Sequence, residues 1–378
     1  MTTPVYSPGL EGVIAGETAV STVETGLSYR GYAVGDLAEH CSFDEVAFLL
    51  LHGELPGAAR LHEFQTGVAA ARRLPPAVKE LFAALPNWTA PLDALRTAVS
   101  ALGHFDQDAA DNSHVANLRK SERLLAQIPV AIADHYRIAK GLPALPARQD
   151  LGTAANFLYM LRGAEAAPAE VKALDVSLIL YAEHEFNAST FAARVIVSTL
   201  SDLHSGVTGA IGALKGPLHG GANEKVMDIL LAAGGPETAE AWTKAALARK
   251  ERIMGFGHRV YKAGDVRAGI LKKYARAAAE SAGEPAPGLP RWEETADIIE
   301  RVMAAEKNMY PNLDWPAGRL YHAMKLEIPL YTPIFAMARV AGWAAHIIEQ
   351  LDNNRLIRPR AIYKGPVARA VPPLAERG

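Results

Sequence analysis

Two histidines and one aspartate stand in short segments rich in glycine, proline and asparagine. His219 lies in Gly-Pro-Leu-His-Gly-Gly-Ala-Asn-Glu (216–224), His258 in Gly-Phe-Gly-His-Arg-Val-Tyr-Lys (255–262) and Asp314 in Tyr-Pro-Asn-Leu-Asp-Trp (310–315). Glycine lets a backbone approach a ligand closely, and histidine and aspartate are the side chains that most often transfer protons. Together the three segments predict acid–base chemistry on a bulky, anionic substrate.

Motifs for other chemistries fail on inspection. His184-Glu185 begins like a zinc-protease motif, but position 188 is alanine where that motif needs histidine. The acidic stretch 104–114 lacks the central glycine and terminal glutamate of a calcium loop, so we interpret it as a solvated polar loop. A single cysteine, Cys41, excludes a four-cysteine metal site. We therefore predict no metal.

Composition narrows the class of protein. The chain has 378 residues and a net charge of −2, which argues against broad nucleic-acid binding because such binding needs a basic face. Its length predicts two packed units. No apolar run approaches the ~18 residues of a membrane span. No lysine or arginine precedes Arg30, so a signal peptide is not expected and we predict a cytoplasmic protein.

The elements that must position these residues are predicted to be helices. Ser42 and Glu45 have capping-box spacing, and apolar residues then follow at helical intervals. Further alanine- and leucine-rich segments predict helical structure at 58–72, 92–102, 121–140, 152–162, 174–200, 239–254 and 292–308. Alternating strand patterns are scarce, apart from a possible short hairpin around 9–30. The predicted fold class is all-α.

The three segments, in this order, resemble the active-site segments of the citrate synthase family. Supporting matches run from Gly-Leu-Glu-Gly-Val (9–13) through Tyr-Arg-Gly-Tyr (29–32) to Arg-Pro-Arg (358–360), so the resemblance covers nearly the whole chain. It implies that acetyl-CoA is condensed with oxaloacetate and that the thioester is then hydrolysed to citrate and free CoA. It implies neither a metal nor another cofactor. Asp314 would be the base, His219 would stabilise the enolate oxygen, and His258 would polarise the oxaloacetate carbonyl and protonate the new alkoxide.

The resemblance also implies the residues that hold both substrates. Arg267, Arg339 and Arg358 would bind the two carboxylates, which suits arginine's planar fork, with His184 as a further donor. Arg358 would reach the neighbouring subunit's site, which implies a homodimer, and Arg360 is close enough to take its place. The CoA-binding residues implied are those of one loop and a following cation: Ile253, Met254, Gly255, Phe256, Gly257 and Lys262.

The resemblance further implies two helical domains with the active site in the cleft between them. A large domain would comprise 1–222 and 330–378, and a small domain would comprise 223–329. Closure of the cleft would exclude water while the enolate forms.

Three alternatives stay open. Leu313 and Trp315 around the base, and His-Glu-Phe-Asn-Ala-Ser-Thr at 184–190, look more like 2-methylcitrate synthases, which use propionyl-CoA. An enzyme that accepts both acyl donors is equally compatible, because one methylene is worth only ~1–3 kcal/mol of discrimination. A non-catalytic CoA-binding dimer would keep the arginines and glycines but is expected to lose Asp314. A metal-dependent hydrolase would need a ligand cluster, which the sequence does not offer.

Overall fold

The computed structural model describes residues 6–24, 26–257, 264–284 and 291–377. These ranges contain sixteen α-helices, which confirms the all-α prediction. In chain order they are α1 (Val34–His40), α2 (Phe43–His52), α3 (Ala58–Ala70), α4 (Pro76–Ala84), α5 (Pro91–Leu102), α6 (His114–Ala139), α7 (Thr153–Arg162), α8 (Pro168–Tyr181), α9 (Ala188–Val197), α10 (Leu203–Leu214), α11 (Ala222–Ala233), α12 (Pro236–Ala248), α13 (Val266–Ser281), α14 (Trp292–Lys307), α15 (Asp314–Ala323) and α16 (Tyr331–Asp352). None of these helices is both long and apolar enough to cross a bilayer.

A small antiparallel sheet lies near the N-terminus, where a hairpin was expected. Its strands are β1 (Ser21–Thr22), β2 (Ser28–Tyr29) and β3 (Tyr32–Ala33), in the order β1-β2-β3. Tyr29 is fully buried, and its hydroxyl donates to carbonyl oxygens at the end of α8, including that of Ile179 at 3.1 Å. The sheet is therefore anchored beside the segment that follows α8.

Helix α16 forms the centre of the core. Nearly all of its 22 residues are buried, and it packs against α2, α5, α6 and α8–α11. A helix that is apolar on every side belongs inside a large protein. Two of its fully buried positions nevertheless carry polar groups, Arg339 and His346, and such groups are costly to bury without partners. Their partners lead to the candidate site.

The segment 174–200 is not one continuous helix, so that sequence prediction was wrong. Helix α8 ends at Tyr181 and α9 begins at Ala188. Glu185 between them has a φ of 50°, and the Asn187 side chain accepts from the backbone N–H groups of Ser189 and Thr190, which caps α9. The dense polar string 183–187 thus forms the break itself.

The stretch 104–114 is largely exposed, as expected of a polar loop, but two of its carboxylates are paired with arginines. The side chain of Asp106 is only 4% exposed and pairs with Arg123 at 2.6 Å, and Arg119 pairs with Asp108 at 2.6 Å. Arginines of the following α6 therefore neutralise these carboxylates. The arginines were overlooked in the sequence because they lie on a separate helix.

Helices α11–α15 pack largely among themselves: α11 and α13 against α15, and α12 against α14. Helix α13 also contacts α8 and α1. The division at 223–329 stays a prediction.

Candidate active site

His219 lies in the tight turn between α10 and α11. Gly220 donates its N–H to the carbonyl oxygen of Leu214 at 3.0 Å, and a Cβ at Gly220 would lie 2.4 Å from that oxygen. Only glycine therefore fits beside His219. The His219 Nε2 is 2.7 Å from the Ser189 hydroxyl and 3.3 Å from the Ser189 backbone nitrogen, whose N–H donates to it.

This contact determines the tautomer of His219. A backbone N–H can only donate, so Nε2 is the acceptor and the ring proton of the neutral imidazole is on Nδ1. Burial, with a smaller contribution from the charge of Arg339, lowers the pKa of His219 to about 4. The ring is therefore neutral at physiological pH and presents a single N–H donor.

Asp314 is the first residue of α15. Its Oδ1 accepts a hydrogen bond from the Tyr181 hydroxyl at 2.7 Å, and its backbone N–H donates to the Asn312 side chain at 3.1 Å. Burial raises the pKa of Asp314 to about 6, against the opposing effects of the Tyr181 hydrogen bond and of the Arg267 charge. A carboxylate with a raised pKa is a stronger base and is still mostly ionised at pH 7.

Arg339 enters from α16 and is only 2% exposed. Its Nε donates to the Tyr181 carbonyl oxygen at 2.6 Å, and its guanidinium lies 4.7 Å from the centre of the Phe335 ring. Within the described residues this is its only hydrogen bond. Burial lowers the pKa of Arg339 to about 10, so it stays charged and its terminal N–H groups remain available to an anion.

Arg267 enters from the start of α13 and is 5% exposed. It forms a two-pronged pair with Asp265, Nε to Oδ1 at 2.9 Å and Nη2 to Oδ2 at 2.7 Å, and its Nη1 lies 3.4 Å from the Leu180 carbonyl oxygen. Asp265 also accepts from the backbone N–H of Leu313 at 3.3 Å. Asp265 thus connects the arginine with the residue before the base.

The C-terminal end of α8 is a common anchor for these groups. The last carbonyls of a helix have no intrahelical partner and carry partial negative charge. Here they accept from Arg339, Arg267 and Tyr29. The break between α8 and α9 therefore holds two cations close to Asp314.

Glu183, in the same break, is completely buried. Its Oε1 accepts from the Ser21 hydroxyl at 3.0 Å and lies 2.8 Å from His346 Nε2. Burial alone would raise the pKa of Glu183, but His346, Arg339 and the Ser21 hydrogen bond outweigh it and the pKa is lowered. Glu183 is thus a buried negative charge that compensates Arg339.

The Phe335 ring contacts three residues of the candidate site. Its ring is 4.4 Å from the Tyr181 ring and 6.2 Å from the His219 ring, centre to centre, besides its contact with Arg339. The structure thus places His219 and Arg339 beside one aromatic ring. At the end of α8 it places Arg339, Arg267 and, through the Tyr181 hydroxyl, Asp314. His184 is 8% exposed in the adjacent break.

One predicted position, Arg358, lies apart from the others, and two cannot be placed. Arg358 is exposed in the extended segment after α16, and no hydrogen bond or ion pair joins it to the other candidates within the described residues. His258 and Lys262 lie outside the described residues. In the described part of the chain, no group of three or more His, Cys, Asp or Glu is arranged to hold a metal.

The segment Ile253–Gly257, predicted to bind CoA, is joined to the loop before Asp314. Gly257 N–H donates to the Tyr310 carbonyl and Asn312 N–H to the Gly255 carbonyl, both at 2.9 Å. Gly255 and Gly257 have φ values of 87° and 77°, and a Cβ on Gly255 would lie 2.9 Å from the Trp315 ring. Backbone conformation and packing thus account for these glycines.

Known proteins of one family are similar to this chain in sequence and in fold. The family model described as citrate synthase, C-terminal domain, matches residues 9–360. The chain belongs to the citrate synthase family. It is 48% identical to citrate synthase 2 of Bacillus subtilis over 372 residues, 98% of each chain. It is 47% identical to the 2-methylcitrate synthase of Mycobacterium tuberculosis, over 98% of this chain and 93% of that one.

Solved citrate synthases have the same architecture. The crystal structure of citrate synthase from Pyrobaculum aerophilum superposes with a TM-score of 0.91 at 39% identity, covering 99% of this chain and 97% of that one. Family membership makes the chain an acyltransferase of the type that condenses acetyl-CoA with oxaloacetate.

The sequence analysis overlooked three residues that contact the predicted site residues. Tyr181 donates to Asp314, Ser189 contacts His219, and Asp265 pairs with Arg267. Ser189 had a detectable signal, because Asn187 two residues earlier is a favoured helix N-cap. Tyr181 had none, since it reads as one more apolar residue at the end of a buried helix.

Proposed function

We propose that the chain catalyses the condensation of an acyl-CoA with oxaloacetate, with Asp314 as the carbon base and acetyl-CoA as the principal donor. The observation that carries this proposal is a pair of groups with different pKa shifts, connected through Tyr181, which donates to Asp314, and Phe335, which contacts both Tyr181 and His219. Asp314 has its pKa raised to about 6, and neutral His219 presents one N–H donor. Enolate formation requires these two groups: an ionised base that removes the proton from carbon, and a neutral donor that forms a hydrogen bond with the enolate oxygen.

The steps follow from these groups. The Asp314 carboxylate removes a proton from the methyl group of the thioester, and His219 Nδ1–H donates to the enolate oxygen that forms. The enolate carbon bonds to the ketone carbon of oxaloacetate, and the new alkoxide takes a proton, a role we assign to His258. Water then cleaves the thioester, which releases citrate and CoA thiol.

The anionic substrate would be held by arginine. Arg339 has free N–H groups in a buried setting, and Arg267 supplies a second buried guanidinium, held in place by Asp265 and the Leu180 carbonyl oxygen. Two carboxylates in so dry a site need paired cations, because an uncompensated buried charge is costly. We propose His184 as a further donor to the same substrate.

For CoA we propose the loop Ile253–Gly257 together with Lys262. The hydrogen bonds between this loop and Tyr310–Asn312 support the assignment, because they join the loop to the segment just before Asp314. Closure of a small domain, 223–329, on the remainder would then exclude water from the enolate.

We further propose that the enzyme is a homodimer in which Arg358 completes the neighbour's site, with Arg360 as the alternative. The described segment after α16 is exposed except at Ile357, and its exposed apolar residues include Leu356 at 58% and Tyr363 at 75%, which suits a segment covered by a second subunit. Mixing Arg358→Gln and Asp314→Asn subunits tests this. Shared sites would recover about a quarter of wild-type activity in a random mixture, because half the dimers are hybrids with one intact site each. No recovery would show that Arg358 acts within its own subunit.

The acyl donor has a second candidate, propionyl-CoA, because the relatives include enzymes named for both activities. Trp315 follows Asp314 in the sequence, but its contacts give it a smaller part in selecting the acyl donor than this position suggested. Its indole N–H donates to Glu300 at 2.9 Å, and its ring packs on Phe256 at 4.7 Å between centres. These contacts account for Trp315 as a packing residue of the loop, so Leu313 is the position that we propose to bear on the acyl donor.

The experiment is a steady-state assay of free CoA thiol with acetyl-CoA and propionyl-CoA, each with and without oxaloacetate. We expect release only with oxaloacetate, faster with acetyl-CoA and unchanged by a chelator, since no step uses a metal. Asp314→Asn is expected to abolish release while oxaloacetate binding persists. No release with either donor would overturn the proposal, and normal turnover by Asp314→Asn would exclude it as the base.

A further inference from the structure

We propose that Tyr181 is a positioning residue for the base: its hydroxyl holds one oxygen of Asp314 so that the other meets the substrate's carbon acid. The inference rests on the proposed condensation and names a residue that acts through Asp314. It begins from a contact between residues 133 positions apart, the 2.7 Å hydrogen bond from the Tyr181 hydroxyl to Asp314 Oδ1.

Tyr181 is held firmly at both ends. Its side chain is 2% exposed and its ring lies against Phe335, while its own carbonyl oxygen accepts from Arg339 Nε at 2.6 Å. One residue thus touches the base through its side chain and a candidate substrate arginine through its backbone. Tyr181 therefore couples the position of the base to that of a candidate substrate arginine.

The hydrogen bond distinguishes the two oxygens of the carboxylate. Within the described residues, Oδ1 has the Tyr181 hydroxyl and Oδ2 has no hydrogen bond. Oδ2 is therefore the oxygen left to take the proton. Burial raises the pKa of the Tyr181 hydroxyl well above 10, so it stays protonated and can donate at every working pH.

Other groups around Asp314 act on its pKa in known directions. Arg267 and Arg339 lower the pKa of Asp314, whereas burial and the Asp265 carboxylate raise it. The Tyr181 hydrogen bond lowers it, because the bond favours the ionised form. Loss of this donor therefore raises the pKa of Asp314 above its present value of about 6, and less base is ionised at neutral pH.

The test is Tyr181→Phe, followed by the pH dependence of CoA release. We expect the acid limb of kcat/KM to move upward by about one pH unit, as expected for loss of one hydrogen bond to a charged group. kcat should fall more than KM for oxaloacetate rises, and activity should return in part above the shifted limb. Tyr331→Phe is the matched control, because Tyr331 is fully buried and its hydroxyl has no partner among the described residues.

Two results would overturn the inference: an unchanged acid limb in Tyr181→Phe, or an equal loss of activity at all pH values. If that variant does not fold, 3-fluorotyrosine introduced at position 181 replaces it. The more acidic phenol donates more strongly, so the acid limb should move to lower pH, and an unmoved limb contradicts the proposal. A wild-type protein without CoA release would refute the condensation instead, so the two failures are distinguishable.

Discussion

The buried carboxylate of Glu183 offers a sharp test of how the site is held together. Glu183→Gln keeps the shape of the side chain and its capacity to accept from Ser21 and His346, but removes the negative charge that faces Arg339. Glu183 is 0% exposed and Arg339 2% exposed, so water cannot replace the lost charge. We expect the variant to be destabilised by its uncompensated arginine.

The magnitude follows from burial. Removing one partner of a buried charge pair costs about 3–5 kcal/mol, and the lower figure applies because the hydrogen-bonding geometry persists. With an unfolding entropy of about 2.1 cal/mol/K per residue, 3 kcal/mol over the 378-residue chain lowers Tm by about 4 °C. The pKa of Glu183 is lower in the folded state than its ordinary value of 4.5. The ionised carboxylate therefore stabilises the fold fully above pH 4.5, and this stabilisation is lost as the pH falls through the pKa of the folded state.

The assay is thermal unfolding of both proteins at pH 7 and at successively lower pH. We expect the gap in Tm to be largest at pH 7 and to shrink below about pH 4.5. Glu185→Gln is the control: burial and the Glu183 charge raise the pKa of Glu185, so neutralising it relieves repulsion. A Glu183→Gln protein as stable as wild type at pH 7, or a gap that widens in acid, would refute this account of the buried charge.

Three further predictions concern neighbouring groups. Ser189→Ala removes the 2.7 Å contact to His219 and should lower kcat roughly two- to tenfold, since a neutral hydrogen bond contributes about 0.5–1.5 kcal/mol. An unchanged kcat would contradict a role of Ser189 in positioning His219. In the wild-type enzyme, kcat/KM should fall about tenfold from pH 7 to pH 5 as Asp314 takes up a proton, and His219 should add no second step in that range. A flat pH profile would exclude Asp314 as the titrating base. Gly342→Ala places a Cβ 2.4 Å from a backbone carbonyl oxygen of the neighbouring helix end and should cost about 1–3 kcal/mol in thermal unfolding. Gly269→Ala, with nothing within 4 Å, should gain about 0.5–1 kcal/mol, and equal effects would contradict the packing argument.

The helices were predictable where local chemistry specifies them. The capping box of α2 forms as expected, with Ser42 bonded to Glu45 Oε2 at 2.7 Å, and Gly53 ends the helix with a φ of 87°. The break at 182–187 was not foreseen, because apolar periodicity continues on both sides and the break contains neither proline nor glycine. Tertiary partners, not local preference, stop α8 at Tyr181.

The site was predictable in its residue types but not in its contacts. The motif segments identify Asp314 and His219, yet Tyr181 and Ser189 reach them only through tertiary packing: α13 packs against both α8 and α15, and α9 packs against α10. Contacts between residues so distant in sequence depend on the whole fold. The same holds for pKa values, since burial is the largest effect on both candidate groups.

The last carbonyls of α8, which have no partner within the helix, bear on how such an enzyme can diversify. They hold Arg339 and Arg267 through main-chain oxygens, which every amino acid supplies, so substitutions along 179–183 leave these anchor points intact. The proposed acyl end of the site depends instead on a side chain, Leu313, which a substitution would change. A scaffold of this kind could exchange one thioester for another while the main-chain anchors of its two buried arginines stay the same.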